Sequence, residues 1–169
     1  MSVLMPYFWP CFAIGLVVGV IIGVFAFHKW PSRKRNIALG IGAVVAVCLA
    51  LVWHGPLGAA DRFTATVEKT ARTGLDYYET PNIQGRLHRH PLSRTLVLTG
   101  KPATDFQRTE LARLFSMLPG VSKAQWGNDP PGTPLMVEGG AIAVLGFLFG
   151  LLLAYLIELH RRYNAQWNW

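Results

Sequence analysis

The chain has 169 residues, 51% hydrophobic and 15% charged, with a net charge of +7 and a mean hydropathy of +0.30. Such values fit a membrane protein better than a soluble one, and the length leaves room for one small aqueous domain beside membrane spans. Six of the sixteen Lys and Arg residues form two short clusters, Lys29/Arg33/Lys34/Arg35 and Arg161/Arg162, while the other ten nearly balance the nine acids. A nucleic-acid binder would spread its charge over a face, so no nucleic-acid partner is expected.

Residues 8–27, FWPCFAIGLVVGVIIGVFAF, carry no charge. At about 1.5 Å of rise per residue this run matches a hydrocarbon core of roughly 30 Å. The first basic cluster follows at once, so the loop 28–36 is expected in the cytoplasm and the N-terminus outside. No basic leader region or cleavage pattern precedes the run, which is expected to be retained. Tyr7 and Trp9 are placed at the outer interface and Trp30 at the inner one; Pro10 is read as lying in the first helical turn, where a missing N–H has no partner to lose. Gly15, Gly19 and Gly23 recur every four residues and give one helix face that another helix can approach closely.

Residues 37–54 form the second span, antiparallel to the first, with Ala38, Gly42, Ala46 and Ala50 repeating the small-residue stripe. Cys11 and Cys48 fall inside these spans without a CxxC or Cys/His pattern and read as small apolar residues.

At His54-Gly55-Pro56 the texture changes. Residues 55–134 hold ten basic and seven acidic residues, interspersed, and are expected to form an aqueous domain with its core at 60–127. Residues 60–78 read as an amphipathic helix with Phe63, Val67, Ala71, Leu75 and Tyr78 inward and Glu68, Lys69, Arg72, Asp76 and Glu79 outward. Residues 83–89 alternate as a strand, 90–93 make a turn, and 95–99 return as the second strand of a hairpin. Thr104 followed by Gln107 predicts a capping box ahead of a helix over 107–118, with Leu111, Leu114, Phe115 and Leu118 on its apolar stripe. Pro119-Gly120 ends it, and 121–126 form a third strand. The order α-β-β-α-β predicts a small α+β domain with both helices on one sheet face.

Residues 128–134 read as a stiff proline-rich linker, and 135–159 as the third span, with Gly146, Gly150 and Ala154 as its small positions. Arg161 and Arg162 hold the tail 160–169 in the cytoplasm, and Tyr155, Tyr163, Trp167 and Trp169 supply an inner aromatic belt. Both basic clusters therefore agree on a topology with the folded domain outside.

Residues 92–126, LSRTLVLTGKPATDFQRTELARLFSMLPGVSKAQW, resemble the BON domain family. The likeness rests on a strand closing on glycine (Leu96-Val97-Leu98-Thr99-Gly100), an Arg-bearing amphipathic helix over 107–118, and the turn Pro119-Gly120-Val121 leading to the last strand. It covers roughly 60–127. The resemblance implies a non-enzymatic bacterial domain outside the cytoplasm, here on the periplasmic side of the inner membrane, that contacts phospholipid or a protein partner.

Arg86, His88, His90 and Arg94 are expected to form the solvated side of the hairpin, a surface suited to lipid phosphates or a partner. His88 and His90 share a strand face but lack further ligands, so no metal is expected. Glu138 and Glu158 read as boundary residues of the third span. No nucleophile elbow, phosphate loop or HExxH is present, and neither an enzyme nor a cofactor is expected. The leading reading is a non-enzymatic membrane protein whose outer domain binds the membrane surface or a periplasmic protein. A second is an accessory or assembly subunit of a larger membrane complex, or a self-associating protein. Its basis is that three small-residue stripes exceed what a three-helix bundle needs. A transporter is disfavoured, since no span carries a central polar residue.

Overall fold

The computed structural model describes residues 3–29, 31–102, 104–127, 130 and 132–166. Trp30, Trp167 and Trp169 of the expected inner belt, and Asn128, Asp129 and Pro131 of the linker, lie outside the described residues. The element order is α1 (Met5–Lys29), α2 (Ser32–His54), α3 (Ala59–Tyr77), β1 (Ile83–Arg89), β2 (Leu92–Gly100), α4 (Asp105–Ser116), β3 (Lys123–Trp126) and α5 (Leu135–Gln166). The chain divides into two units: Met1–Tyr7 with Gly58–Glu138, and Phe8–Leu57 with Gly139–Trp169.

The second unit is made of helices. Among the described residues, α1, α2 and α5 are long and apolar enough to cross a membrane. Such segments become helical because hydrocarbon offers no partner for backbone N–H and C=O groups, which a helix satisfies internally. The helices outrun the apolar runs. α1 starts at Met5, so Pro10 is its sixth residue, beyond the first turn, and one backbone bond is lost there. α2 opens at Ser32 after an extended Pro31 (φ −62°, ψ 153°), so Arg33, Lys34 and Arg35 form its first turn rather than a loop. Of the expected 28–36 loop, His28 and Lys29 thus end α1 and residues 32–36 open α2, and of the expected 160–169 tail, residues 160–166 continue α5. Lys and Arg are good helix formers, and adding a residue to an existing helix is far easier than starting one.

The other unit is α-β-β-α-β. α3 buries Phe63, Val67, Ala71 and Leu75 at the helical spacing. Tyr78 departs from the expected stripe: it follows the last helical turn and stays exposed. The sheet order is β1-β2-β3; β1 runs antiparallel to β2, with Ile83 opposite Gly100 and Leu87 opposite Leu96, and β3 runs parallel to β2, with Leu98 opposite Trp126. Parallel neighbours need a crossover, and α4 supplies it. Thr104 caps α4 by accepting the Gln107 N–H at 3.1 Å. Leu111 and Phe115 of α4 are buried, as are Ile83, Leu87, Leu96 and Leu98 of the sheet. Gly74 of α3 lies close to the Phe115 ring and Gly85 of β1 close to the Ala71 methyl, so both helices cover one sheet face.

β2 is longer than expected, taking in Leu92 and Ser93, because the turn needs only His90 and Pro91. Gly100 (φ 131°) and Gly120 (φ 98°) occupy backbone conformations that L side chains rarely adopt, and a Cβ at Gly120 would stand 2.9 Å from Val67 Cγ2. The proline-rich stretch is no free spacer. Gly132 N–H donates to Thr95 Oγ1 at 3.0 Å and Pro134 bridges to Ser93, so these two residues lie along β2. Thr95 and Ser93 are buried in consequence.

Candidate functional site

β1 is an edge strand, and its outer edge is where polar side chains gather. Glu68 was expected on the solvated side of α3. Instead it reaches across: Oε1 accepts the Leu87 N–H at 3.1 Å, and Oε2 pairs with Arg89 at 3.3 Å. Capping one outward N–H of an edge strand with a helix carboxylate blunts an edge that would otherwise pair with other chains. Alternation at Leu87 also shows which groups face out. In an antiparallel pair every second residue turns its N–H and C=O away from the partner, so Gly85 and Ile83 share Leu87's outward direction. Ile83 N–H is taken by the Thr80 carbonyl at 3.1 Å. Gly85 remains between the two closed points.

A cavity of about 610 Å³ runs beside this edge, walled by Glu68, Lys69, Arg72 and Asp76 of α3 and by Gly85 and Arg86 of β1. The sequence signal for Glu68 was weak, because a carboxylate on a polar helix face looks the same whether it meets water or a strand. A second cavity, of about 590 Å³, lies at the carboxyl ends of β2 and β3, where Trp126 Nε1 donates to the Arg108 carbonyl at 2.8 Å and the Arg108 guanidinium lies over the indole ring.

The four expected surface residues do not form one face. Arg86 is exposed, its guanidinium 3.4 Å from Gln84 Oε1. His88 Nδ1 lies 3.0 Å from the Pro91 carbonyl, and His90 is in the turn beyond the strand, so the two histidines do not share a strand face. Arg94 belongs elsewhere: Nε donates to the Gly120 carbonyl at 3.1 Å and Nη1 pairs with Glu138 at 3.2 Å, both side chains about four-fifths covered. The register irregularity between Leu87 and Arg89 separates these positions, since a bulge breaks simple alternation. Among the described residues no three His, Cys, Asp or Glu side chains are grouped to hold a metal ion.

Glu138 thus ties the first turn of α5 to β2 and is more than a boundary marker. Glu158, at the other end of α5, receives Arg162 Nε at 3.0 Å and lies 3.6 Å from His28 Nδ1, while Arg162 Nη2 donates to the Phe27 carbonyl at 3.3 Å. The C-terminal end of α1 and the end of α5 that carries Arg161 and Arg162 are therefore neighbours. Tyr7, expected at the outer interface, is 3% exposed and packs 5.9 Å from the Phe63 ring. Cys11 is buried with Ala50 and Ala143, whereas Cys48 is exposed.

Gly15, Gly19, Gly23, Gly42, Ala46, Ala50, Gly146, Gly150 and Ala154 are all buried; Ala38 is half-buried. The stripes of α1 and α5 meet each other. A Cβ at Gly15 would strike the Ala143 backbone, one at Gly146 the Phe12 carbonyl, and one at Gly150 would stand 2.9 Å from Gly19 Cα. Gly42 of α2 faces Ile22 and Phe147, both 3.0 Å from its would-be Cβ. The expectation of surplus small-residue faces is corrected accordingly: the glycine stripes are occupied inside the chain. Outward positions carry bulky apolar groups such as Val17, Ile21, Phe25, Val44 and Leu152.

No protein-family model, curated protein or solved structure matches this chain.

Proposed function

We propose that this chain is a non-enzymatic binding protein of the membrane, and that its α-β-β-α-β unit is the binding module. The observation that carries this reading is the polar groove beside the edge of β1, on a folded unit whose chain continues at both ends into a candidate span. Two tethers keep such a unit near a bilayer, where its choices are the membrane surface or a protein held there. The resemblance to BON domains points the same way and suggests a bacterial inner membrane. The periplasmic side is supported by Lys and Arg at the ends of α1, α2 and α5 and by the contact between the basic ends of α1 and α5. The accessory-subunit reading has lost the surplus faces that motivated it.

A photoreactive amino acid at position 86, which is exposed, tests the proposal in intact cells. A discrete adduct of lipid or protein mass is expected on irradiation. If position 86 yields no adduct while the protein is folded and in the membrane, the unit is not a binding module on this face.

A further inference from the structure

The reading of the unit as a binding module leaves its ligand open, and the following inference rests on that reading. We propose that the groove between α3 and β1 takes an extended, acidic protein segment, which adds to the sheet as a fourth strand. Strand addition requires an edge with outward backbone groups and a wall that seats side chains. β1 has both. Its inner edge is paired with β2, and its outer edge is closed at Ile83 N–H by Thr80 and at Leu87 N–H by Glu68. Between them the Gly85 N–H and C=O face the groove, where an incoming backbone can pair with both. The two closed points limit the open stretch, so the ligand is a short extended segment and not a long strand.

Charge selects the segment. Lys69, Arg72 and Arg86 line the groove as exposed cations. Of the two carboxylates lining it, Glu68 already holds Leu87 N–H and Arg89, which leaves Asp76 against three positive groups. Acidic side chains alternating along the ligand would meet this wall, while its backbone zips to β1. A lipid phosphate would meet the same cations but has no ladder to offer Gly85.

The test uses the full chain in nanodiscs of neutral lipid and a fluorescent short peptide alternating Glu and Val. Saturable binding is expected by anisotropy. Methylating the peptide's backbone nitrogens on one edge keeps every charge and removes its ladder donors, and should weaken binding about tenfold or more. Arg72→Glu should weaken it similarly, while Arg72→Lys should retain it. Equal affinity for the methylated and plain peptides would overturn strand addition, as would displacement of the plain peptide by anionic vesicles with Arg72→Glu without effect. Absence of saturable binding would overturn the peptide proposal as well. A position-86 adduct formed alongside either negative result would preserve the binding-module reading and remove only this ligand.

Discussion

Two arginines that look interchangeable along the chain do unlike things. Arg86 stands exposed over the edge of the sheet, and Arg94 is held between the Gly120 carbonyl and Glu138. Arg94→Glu would set a carboxylate beside Glu138 and leave the Gly120 carbonyl without its donor. It should destabilise the α-β-β-α-β unit by about 2 kcal/mol or more, since breaking a covered pair costs well above the worth of a surface one. Arg86→Glu should stay within about 0.5 kcal/mol. Chemical denaturation followed by Trp126 fluorescence separates the two; equal losses would place Arg94 on the surface. Glu68 is read in the same way. Glu68→Ala should cost about 1–2 kcal/mol through the uncapped Leu87 N–H and speed exchange of that amide, and Arg89→Ala should cost less than about 0.5 kcal/mol because an exposed ion pair is worth little. If Arg89→Ala matches Glu68→Ala, the ion pair and not the cap holds the edge.

Among the elements, α1 and α5 are defined by how closely they approach. Gly15 and Gly19 allow backbone-to-backbone contact, where a methyl group would collide with the Ala143 and Phe147 carbonyls. In a bilayer no hydrophobic drive pulls helices together, so close packing is the main attraction. Gly19→Leu should lower the thermal stability of the detergent-solubilised protein clearly. Gly40→Ala should not, because nothing lies within 4 Å of a Cβ at Gly40 and alanine favours a helix. Should Gly19→Leu melt with the parent protein, the α1–α5 contact is dispensable. Outward positions such as Val17, Ile21 and Phe25 carry bulky apolar groups instead.

For the whole molecule the decisive question is which side each unit meets. Proteins lacking Cys11 and Cys48 and carrying a single cysteine at exposed Lys123 or Ser32 would answer it. The Lys123→Cys protein should react with an impermeant maleimide in intact cells, and the Ser32→Cys protein only after permeabilisation. The opposite pattern would reverse the topology and move the groove to the cytoplasm. Reaction of both proteins in intact cells, or of neither, would mean that α2, a candidate span, does not cross the membrane.

The sequence by itself determined the elements. Uninterrupted apolar runs, a 3.6-residue stripe over Phe63, Val67, Ala71 and Leu75, alternation over 83–89, and Thr104 with Gln107 are local signals that any neighbouring structure must respect. Helix ends were less legible, because Arg33, Lys34 and Arg35 are as content in a first turn as in a loop. The antiparallel pairing of β1 with β2 was legible as a hairpin, but the pairings of side chains were not. That Glu68 caps β1, that Arg94 meets Glu138 across more than forty positions, and that the glycine stripes face one another depend on which surfaces the fold brings together. Periodicity tells which side of an element is polar or small, but only tertiary structure decides what that side touches, and the groove beside β1 exists solely through that decision.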